Sequence, residues 1–141
     1  MIPSNDTAGP GSRQLASHLV LAGAVLMLLA VILGAFGSHV LQSQLTPRQL
    51  ASFQTGVTWQ VYHALALVLL GVAARVFPVT PWLRRSAVLM LVGIACFSGS
   101  IYAMTFGAPR GLGMVTPVGG VCFMLGWIAL AMHAREVNSE Q

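Results

Sequence analysis

Seven arginines and no lysine are spread along this chain of 141 residues so that four long stretches carry no charge. No Asp, Glu, Lys or Arg occurs between Arg13 and Arg48, Arg48 and Arg75, Arg85 and Arg110, or Arg110 and Arg135. By position these windows hold 34, 26, 24 and 24 residues. A helix needs about 20 mostly apolar residues to cross a bilayer core of about 30 Å, so each window has room for one crossing and none for two. The composition agrees, at 56% hydrophobic and 7% charged residues, where a soluble domain carries roughly a quarter charged. A soluble globule and a disordered chain are both excluded. Scattered arginines without a basic run also argue against a nucleic-acid partner, which leaves the lipid bilayer as the expected one.

The expected fold is all-α, an antiparallel up-down bundle of four membrane-spanning helices at about 19–38, 56–76, 86–106 and 112–132. Residues 1–14 are polar and rich in Pro, Gly and Ser and read as a disordered tail, 15–133 as the helical domain, and 134–141 as a C-terminal tail. The first apolar run is too long for the core of a secretory signal, so a retained anchor is expected. Thr46 followed by Pro47 suggests a short interfacial helix before the second span. Pro78 and Pro81 end the second span, and GAPRG (107–111) is a tight turn that makes the last two helices antiparallel neighbours. Pro117 should loosen the fourth helix by freeing the carbonyl of Gly113.

Four spans put both termini on one side. That side collects Arg13, Arg75, Arg84, Arg85 and Arg135, against Arg48 and Arg110 opposite, so both termini are expected in the cytoplasm. Phe53, Trp59 and Tyr62 then fall near the outer interface, and Phe77, Trp82 and Trp127 near the inner one. His18 and His133 lie at the inner interface, where a half-wet imidazole needs no special role.

Polar groups inside the spans concentrate toward the outer half and define a candidate cluster: His39, Gln60, His63, Ser98, Tyr102, Thr105 and Thr116. His63 stands out, about 10 Å deep at 1.5 Å per residue, because an ionisable group inside a span is a functional candidate by default. Ser98, Tyr102 and Thr105 share one helical stripe. Such a cluster forms either a buried hydrogen-bond network or an outward-facing pocket. Gly34, Gly37, Gly99, Gly119 and Gly120, with Gly93 and Gly126, mark close helix contacts rather than a phosphate cradle, since no GxGxxG or Walker pattern is present. Cys96 and Cys122 lack a CxxC arrangement and metal-ligand spacing, so neither a metal nor a cofactor is expected. The only acids, Asp6, Glu136 and Glu140, lie in the tails, which removes both a coupling carboxylate and a hydrolytic triad.

The segments GAFGSHVL (34–41), FQTGVTWQVYHALAL (53–67), FSGSIYAM (97–104) and TPVGGVCFMLGWIALA (116–131) resemble the YgdD-like family of small bacterial inner-membrane proteins, domain of unknown function family 423. The resemblance covers residues 15–133 and departs at Ser38, where the family usually carries Ala. It implies four helices in the bacterial cytoplasmic membrane and no known activity. Its characteristic residues here are Gly34, His39, Gln60, His63, Ser98, Gly99, Thr116, Pro117, Gly119 and Gly120, which overlap the cluster reached from depth. The leading expectation is a non-enzymatic structural membrane protein that packs with itself as a homo-oligomer or within a larger complex. The alternatives are a carrier of a small neutral or lipid-like molecule in a pocket of Gln60, His63, Tyr102 and Thr116, and a haem or metal protein using His39 and His63.

Overall fold

Three of the four helices begin at a proline, where the missing N–H costs nothing and the fixed φ suits a first turn. In the computed structural model, which describes residues 9–139, α1 spans Pro10–His39, α2 Pro47–Val76, α3 Pro81–Thr105 and α4 Val115–Ser139. Thr46 caps α2 through a reciprocal box: its hydroxyl accepts from the Gln49 N–H, and the Gln49 side chain accepts from the Thr46 N–H at 3.0 Å. Thr80 caps α3 by accepting from the Leu83 N–H. Val76 is the last residue of α2, because Phe77 is extended and Pro78 follows it. The α3–α4 connection turns at Gly107, whose φ of +100° lies in the left-handed region, and passes through a short 3-10 helix at Arg110–Met114.

These boundaries amend the sequence reading at four places. The α1 helix starts at Pro10, inside the segment read as a tail, because Gly9 caps it and its carbonyl accepts from Ser12 and Arg13 N–H. The rest of that tail, residues 1–8, lies outside the described residues. At the other terminus α4 continues to Ser139 and buries Val137, so most of the C-terminal tail is helix. The interfacial helix after Pro47 is the first turns of α2 itself. Pro117 sits in the first turn of α4, where its N–H would be unbonded anyway, and it loosens nothing.

At about 1.5 Å per residue, the 30 residues of α1 and of α2 are each roughly 45 Å long, enough to cross a bilayer core and protrude. All four helices are long and apolar enough to span a membrane. The most apolar of them, α1, is also the least buried; α2 is the least apolar and the most buried. This inverse relation is what lipid as solvent dictates: apolar residues face outward and polar ones are taken into the protein.

The helices pack in chain order, α1 on α2, α2 on α3 and α3 on α4, each pair antiparallel. On the first pair Gly37 faces Phe53, Leu26 faces Gln60, Gly23 faces Ala64 and Ala16 faces Gly71. The α1 seam repeats every seven residues as Ala16, Gly23, Ala30 and Gly37, all buried. Close approach is reciprocal. A Cβ at Gly23 would strike the Val68 side chain and come 2.7 Å from the Ala64 carbonyl oxygen, while one at Gly71 would strike Val20 and come 2.9 Å from that of Ala16. The segments VLAG (20–23) and VLLG (68–71) therefore seat each other's glycine.

The second pair repeats the device with larger knobs. Phe123 lies directly over Gly93, and Gly119 lies on the Phe97 backbone, where an added Cβ would stand 2.8 Å from its Cα. Here GIACF (93–97) and GGVCF (119–123) each offer a glycine to the other segment, Gly93 to the Phe123 ring and Gly119 to the Phe97 backbone. Lipid gives helices no hydrophobic incentive to associate, so such backbone-to-backbone packing carries the association. An aliphatic core of Leu67, Leu70, Leu83, Met90 and Ile94 completes the bundle toward the end that carries the termini.

Candidate functional site

Gln60 projects from α2 into the space between α1 and α3, and both ends of its amide are used. Its Nε2 donates to the Leu26 carbonyl of α1 at 2.8 Å, and its Oε1 accepts from the Tyr102 hydroxyl of α3 at 2.9 Å. One turn away, Ser98 Oγ donates to the Gly56 carbonyl at 2.7 Å, again joining α3 to α2. The bare backbone of Gly56 makes room there, and Tyr102 and Ile101 pack directly on it.

His63 is 2% exposed and stacks face to face on Phe123, with ring centroids 3.4 Å apart. Its Nδ1 lies 2.7 Å from the Trp59 carbonyl, and its Nε2 lies 3.2 Å from Trp127 Nε1. An indole nitrogen can only donate and a carbonyl can only accept. The imidazole therefore carries its proton on Nδ1, accepts at Nε2 and is neutral with both nitrogens occupied. Trp59, stacked 5.7 Å from the same ring, and Phe97 close an aromatic box around it.

The remaining predicted residues do not join this centre. Thr116 pairs with Ser100 at 2.6 Å, fastening the start of α4 to α3. Thr105 donates to the Ile101 carbonyl within its own helix. His39 is exposed at the end of α1. Because Gly37 faces Phe53, His63 lies ten residues further along α2 than the level of Gly37, about 15 Å at 1.5 Å per residue, so the two histidines do not come together. The candidate cluster is thus several separate contacts. Gln60 and Tyr102 edge a groove of about 290 Å³ between α1 and α3, but its other walls are mostly aliphatic, and His63 and Thr116 do not line it.

Of the glycines singled out for packing, Gly37 and Gly119 seat neighbouring residues, and a Cβ at Gly34 would make only ordinary contact with Val57 at 3.5 Å. One at Gly99 would just reach the Ile94 carbonyl oxygen at 4.0 Å, and one at Gly120 would meet nothing within 4 Å. Gly120 is one residue round the helix from Gly119 and turns off the α3 seam.

Placing the polar groups toward the outer half misses contacts at the other end of the bundle. There Ser86 Oγ donates to the Gly126 carbonyl at 2.8 Å, and Thr80 Oγ1 lies 3.0 Å from His133 Nδ1. His133 is buried rather than half wet, at 3% exposure, whereas His18 is exposed as expected. The aromatic box was missed too, although Trp59 with His63 and Phe123 with Trp127 are each four apart and so share a helix face. Phe53, read as an interface aromatic, is fully buried against Tyr102, with ring centroids 5.2 Å apart. Trp127, read as an inner-interface aromatic, is half exposed and gives its indole N–H to His63 on α2.

Four apolar spans, joined through paired polar side chains, define an integral helical membrane protein. A family model described as "Protein of unknown function (DUF423)" matches residues 33–120, and the chain belongs to that family. Among similar proteins, UPF0382 membrane protein YwdK of Bacillus subtilis is 37% identical over 115 residues, 82% of this chain and 94% of the relative. UPF0382 membrane protein SAB0533 of Staphylococcus aureus is 37% identical over 79% of this chain and 89% of the relative. UPF0382 inner membrane protein YgdD of Escherichia coli is 38% identical over 74% of this chain and 79% of the relative. No solved structure matches.

Proposed function

We propose that the chain is a non-enzymatic structural protein of the bacterial cytoplasmic membrane, working as a homo-oligomer or within a larger membrane complex, with its embedded polar residues serving as bonds between helices. One observation carries this reading: each packed pair of helices is bridged by a polar side chain whose partner is internal. Gln60 with Leu26 joins α1 to α2, Tyr102 with Gln60 and Ser98 with Gly56 join α2 to α3, Trp127 with His63 joins α4 to α2, and Ser86, Ser100 and His133 serve α3 and α4. A haem ligand needs a free imidazole nitrogen, which His63 does not offer, and the amide of Gln60 is bonded at both ends to protein partners on α1 and α3.

Both termini lie in the cytoplasm in this reading, because five of the seven arginines fall on their side. A reporter active only in the cytoplasm, fused at either terminus, should be active; an active periplasmic reporter at the C-terminus would reverse the orientation.

A double-mutant cycle on Gln60→Leu and Tyr102→Phe, read by unfolding in detergent, tests the structural role. The expected coupling is about 0.6 to 2 kcal/mol, the range for hydrogen bonds between membrane helices. Overturning it would take purified protein that retains a stoichiometric small molecule or lipid, released by Gln60→Leu with the melting temperature unchanged.

A further inference from the structure

The two arginines on the end opposite the termini, Arg48 and Arg110, come from different connections yet line one cleft of about 580 Å³. Arg48 stands in the first turn of α2, and Arg110 opens the 3-10 helix that leads into α4. The floor between them is Ile101 and Met104 of the last turns of α3. Neither guanidinium has a hydrogen-bond or ion-pair partner among the described residues, and the only acid among those residues is Glu136, near the end of α4 at the other end of the bundle.

Two cations that share a cleft repel each other unless an anion lies between them, and the described residues place none there. The backbone carbonyls of the last turns of α3 are engaged within the chain. At the end of α3 the carbonyls of Ile101, Tyr102, Ala103 and Met104 accept from the Thr105 hydroxyl and from the N–H groups of Phe106, Ala108 and Gly107 respectively. The only charged groups lining the cleft are the two guanidiniums, Arg48 at the positive end of the α2 dipole and Arg110 across from it, with the Ser52 hydroxyl one turn on from Arg48. A face where the arginine count should be lowest places both of its arginines here.

We propose that Arg48 and Arg110 bind a phosphate-type oxyanion, either the head group of an anionic phospholipid or a free phosphate. The planar guanidinium fork suits two oxygens of one phosphate. The position just beyond the apolar part of α2 and α3 is head-group level, and the Ile101–Met104 floor accepts the start of an acyl chain. The proposal stands apart from the structural role of the embedded residues and survives if that role fails.

Purified full-length protein in neutral detergent is examined by native mass spectrometry with phosphatidylglycerol or diacylglycerol, and by thermal unfolding with inorganic phosphate or chloride at matched ionic strength. Phosphatidylglycerol retained over diacylglycerol identifies the lipid source; stabilisation by phosphate over chloride identifies the free anion. In either arm Arg48→Gln or Arg110→Gln should weaken binding about tenfold, the worth of one charge-assisted bond. Arg48→Lys should keep part of it, and Arg135→Gln at the far end should change nothing. No preference in either arm overturns the proposal, as does an equal loss in Arg135→Gln. Both cleft substitutions are at exposed positions, and an unchanged melting temperature without ligand confirms that the variants fold.

Discussion

The residues that decide the packing of this protein are the ones with no side chain. At Gly93 an added methyl would strike the Phe123 ring, and at Gly119 it would strike the Phe97 backbone, which cannot rotate aside. Gly93→Ala and Gly119→Ala should each destabilise by about 1 to 3 kcal/mol, the cost of overpacking, even though alanine favours helix. Gly120→Ala, one position along, should be neutral or slightly stabilising, since its Cβ would meet nothing within 4 Å. Unfolding of the three variants in detergent checks this, and equal effects at Gly119 and Gly120 would contradict the seat. Depth and polarity alone pointed to Gln60, Ser98, Tyr102 and Thr116, because a polar atom in lipid must find a partner. They did not reveal which partners. Gln60 looked available for a ligand only because its acceptor on α1, the Leu26 carbonyl, is backbone and invisible in a list of polar residues.

At the scale of the element, start signals were legible and ends were less so. Thr46-Pro47 and Thr80-Pro81 each open a helix, as their chemistry demands, and Thr46→Ala should cost about 1 kcal/mol through loss of the cap. Replacing Pro117 with alanine should change stability by less, because α4 begins two residues earlier and no mid-helix hydrogen bond is restored; comparing the two melting temperatures separates a cap from a kink. The four spans were legible because charge is so costly in lipid that its absence delimits them. The first turns of α1 and the last of α4 were not, since polar residues near a membrane surface permit helix and coil alike and only a cap or a docking partner decides. Those deciding partners were the Gly9 carbonyl at one end and, at the other, Thr80 holding His133. The reciprocal motifs VLAG with VLLG and GIACF with GGVCF lie in plain view, but they become meaningful only once the antiparallel register sets one against the other.

Across the whole molecule, the two outer helices are bound unequally. The α1 helix rests mainly on α2, meets the end of α3 at the Phe36–Phe106 ring contact, and gives most of its remaining surface to lipid, whereas α4 also reaches α2 through Trp127 and Phe123. The two seated pairs, α1 with α2 and α3 with α4, each have their own glycine-seated interface, and the short segment Phe77–Thr80 is all that links them covalently. Between them the bonds are Ser98 to Gly56, Tyr102 to Gln60 and Trp127 to His63. Each pair therefore has what it needs to enter the membrane as a preassembled hairpin, with the two hairpins docking afterwards. Two separately translated halves, 1–78 and 79–141, should find each other and co-purify in detergent, and Ser98→Ala combined with Trp127→Phe should weaken that reunion while leaving each half inserted. The polypeptide link at Pro78 would then be a convenience of synthesis, with the folded state written twice, once in each half.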